Sequence, residues 1–453
     1  MRTLIRAALF GAVLLPLSAV AADDLDLRLK KLDAEVSRQA ETISNQQQTI
    51  NEMKELLKKS QSANPAGTED NSTKNTGFFG GSLLNNPYIS LILDAKGYIS
   101  NQKNSQLSER GIAGYTTEAP GLRNGFNVDA AELLIFAPVD PYFNLYTNIP
   151  VTSDGAALEE AYVITTNLPA GLQIKGGRFK SNASRLNGQH PHAWDFAELP
   201  LAYRSFLGPE ALGGDNGIQL TWMPEAPVYT LLGFEALQGS NPLLFGDDGN
   251  WGPHAFTAFA RVSFDTGDDS TFYLSPWAMF GNTKTTGILP TDPITGNSFE
   301  MRGFSTLYGM EAVWKWKSGH QKLTLQGEYL YLKQSDATLS EIDTNSALVL
   351  SETFKRSQDG AYLQAIYGYD RISAGLRYDR MEIFADTFER GGVKQSFGSK
   401  PWRVSAMTEY KFTEFSRIRA QFNHDRSERD GRVNNEGILQ FTFTIGAHGA
   451  HPF

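Results

Sequence analysis

From Ser100 almost to the end of the chain, the connecting segments alternate between long and short. Each separates two stretches of about ten residues that read apolar, polar, apolar, polar. Ten residues at a period of two is what a tilted strand needs to cross a bilayer with one face toward lipid. Strands survive in lipid only when the sheet closes, because an open edge would leave backbone groups without partners. The rhythm therefore predicts a closed barrel with tight turns at one end and long loops at the other.

Sixteen segments carry the pattern, at 88–99, 127–139, 142–150, 158–167, 172–179, 217–223, 228–237, 254–264, 271–281, 306–316, 322–332, 360–369, 371–380, 403–412, 417–424 and 437–445. An even strand number is the rule for single-chain outer-membrane barrels, and about 16 to 18 strands enclose an aqueous channel. The short turns at 138–141, 168–171, 224–227, 266–269, 317–320, Asp370 and 413–414 are rich in Pro, Gly and Asp, which is turn chemistry. They fall on the periplasmic side if the N-terminus is periplasmic. Two faces are plain in several strands. Leu439, Phe441, Phe443 and Ile445 oppose Gln440, Thr442 and Thr444, and Ile418, Ala420 and Phe422 oppose Arg417, Arg419, Gln421 and Asn423. Likewise Val404, Ala406 and Tyr410 oppose Arg403, Ser405, Glu409 and Lys411. The polar sets are expected to line the lumen, with Arg403, Lys411, Arg417 and Arg419 along its wall. Tyr308, Trp314, Trp316, Tyr329 and Tyr331 suit interfacial aromatic girdles. The fold class expected is all-β, a transmembrane antiparallel β-barrel of about 16 strands over 87–453, preceded by an α-helical coiled coil.

The N-terminus supplies that helix and the export route. Arg2 and Arg6 precede an apolar stretch over 7–20, and Ala19-Val20-Ala21 fits small-x-small cleavage, so 1–21 reads as a signal peptide. Over 24–59 a heptad places Leu29, Val36, Ile43, Ile50 and Leu57 at one seam position. Leu25, Leu32, Gln39, Gln46 and Met53 fall at the other. This predicts a periplasmic coiled coil joining subunits, with a homotrimer expected from the class of barrel. Residues 60–86 read as a flexible linker rich in Ser, Asn, Thr and Gly. The terminal Phe453 matches the aromatic by which such barrels are handed to the outer-membrane assembly machinery, although His451 and Pro452 precede it.

Composition narrows the partners. There is no cysteine, so neither disulfides nor thiol-bound metal enter. The formal net charge of −9 argues against a nucleic-acid partner. Outer-membrane lipid is the expected surroundings, and cell-wall contact through the coiled coil is a further expectation. No cofactor is called for.

The longest connection, 180–216, holds Arg185, His190, His192, Trp194, Asp195, Glu198, Tyr203, Arg204 and Glu210. Unstructured loops of this length are usually functional. It is expected to fold inward as a constriction, with Arg185, Asp195, Glu198 and Arg204 at its narrowest point. The run Gly176-Gly-Arg-Phe-Lys180 followed by Ala183-Ser-Arg-Leu186 resembles the strand-loop junction of the phosphate-selective (O/P-type) porin family. That resemblance implies a trimeric anion channel lined by an arginine ladder and lysine clusters. The lumen read from this sequence is instead mixed in charge, so only the architecture is carried over.

Four of the seven histidines lie in two short motifs, His190-Pro-His192 and a second one holding His448 and His451. Clustered imidazoles suit zinc, copper or nickel, and His190 and His192 with Asp195, or with His254 from another loop, form the candidate metal set. The functional expectation is an outer-membrane porin passing small hydrophilic solutes or ions by passive diffusion. A transition-metal channel for an ion such as zinc, using these histidine motifs, is one alternative, and a structural tether between outer membrane and cell wall is another. A catalytic role is not expected, because no Gly-x-Ser-x-Gly elbow occurs. An energised receptor is disfavoured as well, since such barrels have more strands and carry a folded plug.

Overall fold

The computed structural model describes residues 87–446 apart from 117–121, 210, 247–251, 287–288, 290 and 293. The signal peptide, the heptad helix, the linker, His448, His451 and Phe453 lie outside the described residues.

Sixteen strands run in chain order. They are β1 (Tyr88–Ser100), β2 (Gly125–Asp140), β3 (Phe143–Thr152), β4 (Glu160–Thr165), β5 (Leu172–Lys180), β6 (Gly214–Trp222), β7 (Tyr229–Leu237) and β8 (Ala255–Gly267). There follow β9 (Ser270–Thr285), β10 (Ser298–Ser318), β11 (Gln321–Ile342), β12 (Leu348–Tyr369), β13 (Ile372–Arg390), β14 (Trp402–Thr413), β15 (Ser416–Arg426) and β16 (Asn434–Gly446). Two-residue pieces at Gly155–Ala156 and Val393–Lys394 fold back to pair antiparallel with the ends of β3 and β13. Every strand pairs antiparallel with its chain neighbours, and β1 pairs with both β2 and β16, so the sheet closes on itself. Among the described residues no helix is long and apolar enough to cross a membrane; a barrel crosses with strands.

Closure works because the side chains alternate. On β15, Arg419, Gln421, Asn423 and Asp425 are buried, whereas Ala420 and Phe422 face outward. On β12 and β13 the outward Leu363 and Leu376 are 65% and 62% exposed, the area a lipid chain covers. Outward aromatic pairs near the long-loop side, Tyr308 on Tyr331 and Tyr378 by Trp402, mark one girdle, and Tyr410 with Phe412 near the short turns marks the other. In the tight β12–β13 turn, Asp370 takes φ 49°, a left-handed conformation that Asp tolerates better than most residues.

Strand lengths depart from the sequence expectation in one region. The strands expected at 306–316, 322–332, 360–369 and 371–380 extend to 21, 22, 22 and 19 residues as β10 to β13. Their outer halves rise past the apolar band, where no face needs to be apolar. Cross-strand ion pairs such as Arg390 Nε to Glu352 Oε1, 2.7 Å, take over there. β4 is shorter than its expected 158–167, at 6 residues; just before it, Glu159 N–H still donates to Asn148 O of β3 at 3.1 Å, while its side chain ion-pairs with Lys180.

The main apolar cluster lies inside the barrel. The helix α1 (Leu201–Leu207), in the loop after β5, buries Leu201, Ala202, Tyr203, Phe206 and Leu207. They pack with Phe259, Trp277, Leu330, Tyr362 and Met381 on the inner wall.

Candidate functional site

The loop 181–213 crosses the lumen and is bonded to strands on all sides. On one side Asn182 N–H meets Glu235 of β7 at 2.8 Å, and Arg261 of β8 donates to Asn182 O at 2.7 Å. Across the lumen, Lys96 of β1 donates to Ala197 O at 3.1 Å.

Between these points runs a wall of arginines. Arg377 Nη1 donates to Glu198 O at 2.8 Å, Arg403 Nη2 to Leu199 O at 2.6 Å and Arg419 Nη2 to Trp194 O at 2.9 Å. Arg417 Nη2 donates to His192 O. The same guanidiniums are shared with wall carboxylates. Asp379 accepts from Arg377 and Arg403, both at 3.2 Å, and Glu409 accepts from Arg419 at 2.6 Å and Arg417 at 3.3 Å. Four cations thus face two wall anions, and the loop carbonyls, Glu198, Gln440 and Thr442 supply further acceptors. An arginine presents several donors in a rigid fork, which is why one residue can hold wall and loop together.

The four residues expected at the constriction separate into two groups. Glu198 accepts from Arg403 Nη1 at 3.0 Å and from Asn423 Nδ2 at 2.8 Å. Burial alone would raise its pKa, but Arg403, Arg204 and Arg110 outweigh burial and keep it ionised. Arg204, on α1, acts on Glu198 electrostatically and makes no side-chain hydrogen bond among the described residues. Arg185 and Asp195 form the other group. Arg185 Nη2 donates to Gln326 at 2.9 Å and Nε lies 3.6 Å from Glu311. Asp195 accepts from Gln364 at 3.0 Å, and its carboxylate is 4.0 Å from Arg185. Of the four residues expected along the wall, Arg403, Arg417 and Arg419 hold the loop, and Lys411 lies 3.6 Å from Glu409 near the short turns.

His190 and His192 stack with ring centroids 5.6 Å apart. Carboxylates engage them: Glu160 Oε2 lies 2.9 Å and Glu159 Oε2 3.2 Å from His190, and Glu132 Oε2 lies 3.1 Å from His192. Burial alone would lower the His190 pKa, but hydrogen bonds to Glu159 and Glu160 outweigh burial and raise it to about 9. Asp195 is elsewhere, bonded to β12, and His254 packs against Gly239. Among the described residues no three His, Asp or Glu side chains are arranged to hold a metal ion. The imidazoles are built as an anchor to the β2–β4 wall.

Several residues at the site were not singled out from sequence. Glu328 is one: its carboxylate accepts from Trp277 Nε1 at 2.8 Å and, at 2.5 Å, from Oη of Tyr203, a loop residue that the sequence did mark. Glu311, Glu328, Arg377 and Asp379 complete the wall. Their signal is the period of two: Glu311 sits between Met310 and Ala312, and Glu328 between Gly327 and Tyr329, on strands recognised for their aromatic girdle.

A closed antiparallel barrel with an apolar exterior and a charged lumen crossed by one loop defines an outer-membrane, porin-like transmembrane barrel. The chain matches the family model described as TonB dependent receptor-like, beta-barrel, over residues 173–425. That match covers more than half of the chain, and the protein belongs to this family. An uncharacterised protein of Aquifex aeolicus (strain VF5) is 36% identical over 390 residues, covering 81% of this chain and 80% of its own. Among solved structures, outer-membrane expressed OmpT of Vibrio cholerae superposes with a TM-score of 0.50 at 11% identity, covering 80% of this chain and 99% of that one. This likeness is one of fold. The match supports an outer-membrane barrel and not specifically the phosphate-selective porins that 176–186 resemble.

Proposed function

We propose that the protein is an outer-membrane channel through which small hydrophilic solutes or ions diffuse passively, constricted by the loop 181–213 and favouring anions. The observation that carries this reading is the pairing of like charges at the short-turn end of the lumen. Lys317 lies directly opposite Lys322 on neighbouring strands, and Lys411 directly opposite Arg417. Like charges in register are destabilising, and a barrel gains nothing structural from two such pairs. They raise the local concentration of mobile anions in a low-dielectric passage. Arg417 and Lys411 share Glu409, whereas Lys317 and Lys322 have no carboxylate within ion-pair distance among the described residues.

In this reading the chain is a transporter without catalytic chemistry. It acts as a homotrimer inserted by the barrel assembly machinery, with its N-terminal coiled coil in the periplasm in contact with the cell wall. The test is single-channel recording in a planar bilayer with a KCl gradient across it. Ohmic steps with a reversal potential toward chloride are expected. Absence of steps, or a potassium-directed potential, would count against the proposal.

A further inference from the structure

The carboxylate of Asp195 stands out within the basic end of the lumen. Among the described residues it is the one acidic side chain that the crossing loop turns toward this end without committing it to an arginine fork. Its side chain is 41% exposed, so water reaches it. The main chain on either side is fixed: Trp194 O by Arg419, and Ala197 N–H by Gln421 Oε1 at 2.7 Å. Phe196 is wedged between Ile366 and Met407, with the Arg377 guanidinium 4.5 Å from its ring. The carboxylate is therefore held at one place while its oxygens stay open to solvent.

The charges facing it come from several elements. Arg185 of the same loop is 4.0 Å away. Lys315 of β10, Lys322 of β11 and Arg417 of β15 lie within electrostatic reach. Lys317 and Lys411 stand beside Lys322. The nearby acids are already engaged, Glu311 with Arg185, Glu409 with Arg417 and Arg419, and Asp94 with Gln440 and Thr442. The neutral donor Gln364 completes the surroundings at 3.0 Å. A set of cations and one amide donor around an open carboxylate is a binding site for a small carboxylate anion with its occupant built in.

We propose that Asp195 is a tethered counter-ion, and that a small carboxylate-bearing solute binds in the lumen by taking its place among Arg185, Lys315, Lys322, Arg417 and Gln364. This rests on the channel reading above and deepens it by naming the class of solute. Asp195 then sets both selectivity and affinity. While it is present the cluster is partly neutralised and a passing anion is held weakly enough to leave, as conduction requires.

The experiment uses the full-length protein in detergent and in bilayers, with Asp195→Asn and Asp195→Glu. Asparagine keeps the shape and the acceptor for Gln364, and heat-modifiable migration checks that the barrel is folded. By calorimetry, Asp195→Asn should bind succinate about fivefold more tightly than the parent, the effect of removing one nearby like charge at a solvated site. Its chloride-over-potassium permeability ratio should rise about threefold or more. Asp195→Glu should return both toward the parent, and Lys322→Gln in the Asp195→Asn background should weaken succinate again. Equal succinate binding and equal permeability ratios in parent and Asp195→Asn would overturn the assignment while leaving the channel intact. Binding of inorganic phosphate but not succinate would overturn the carboxylate class. Tighter succinate binding without current in either protein would sustain the site and refute passive conduction.

Discussion

Arg403 on the barrel wall donates to the carboxylate of Glu198 on the crossing loop at 3.0 Å, and both groups are withdrawn from water. The contact joins two parts of the chain 205 residues apart. An ion pair so placed holds its geometry firmly, because leaving either charge alone in the interior is costly.

Glu198→Ala should therefore destabilise the barrel by about 2–3 kcal/mol. That is below the full cost of orphaning a buried cation, because Asp379 still accepts from Arg403. Urea unfolding of the detergent-solubilised protein measures this. Arg403→Met with Glu198→Leu should recover part of the loss, since an apolar pair avoids the buried charge altogether.

Replacing 189–198 by a short Gly-Ser link should raise single-channel conductance and flatten ion selectivity. The segment carries the carbonyls held by Arg417, Arg419 and Arg377. Conductance equal to that of the parent would remove the constriction role from this loop.

His190 should make the loop pH-sensitive on the alkaline side. Its pKa in the folded protein, about 9, is above the roughly 6.5 of a free imidazole. Its contribution is thus fully present below about pH 6.5 and is lost as pH rises through 9. The facing groups are Glu132, Asn148, Glu159 and Glu160, with Lys180 bonded to Glu159. Thermal unfolding should shift to lower temperature between pH 7 and 10 in the parent and less so in His190→Gln. Parallel curves for the two proteins would show that the anchor is not electrostatic.

Leu376→Arg should oppose membrane insertion. The residue faces outward midway along the lower part of β13, where a charge costs about 2–4 kcal/mol near the bilayer midplane. Folding into vesicles under a urea series reads the difference, and Lys411→Gln, at a half-exposed lumen position, should cost far less.

The wall was legible in the sequence because lipid and water impose opposite demands on neighbouring residues. Leu439 against Gln440 and Ile418 against Arg419 need no tertiary information to be assigned a face. The upper halves of β10 to β13 were not legible, since Glu300, Arg302, Lys355 and Glu389 stand above the band where one face must be apolar. The loop's length and charge marked it as a candidate constriction. Nothing in its sequence shows that Arg185 and Asp195 turn to one end while Glu198 and Arg204 turn to the other. That division is decided by Glu311, Gln364 and Arg403, which are remote in sequence from the loop and from one another. The histidines show the same limit: His190-Pro-His192 is visible at once, whereas the three glutamates that occupy its nitrogens come from other segments.

Four of the bonds by which Arg377, Arg403, Arg417 and Arg419 hold the loop end on main-chain oxygens, at His192, Trp194, Glu198 and Leu199. A carbonyl is the same whichever side chain follows it. The arginine wall is thus a socket that grips the path of the inserted segment and is indifferent to much of its lettering. Side chains pointing from that segment into the passage can be exchanged without loosening its grip, so one scaffold can carry many different filters.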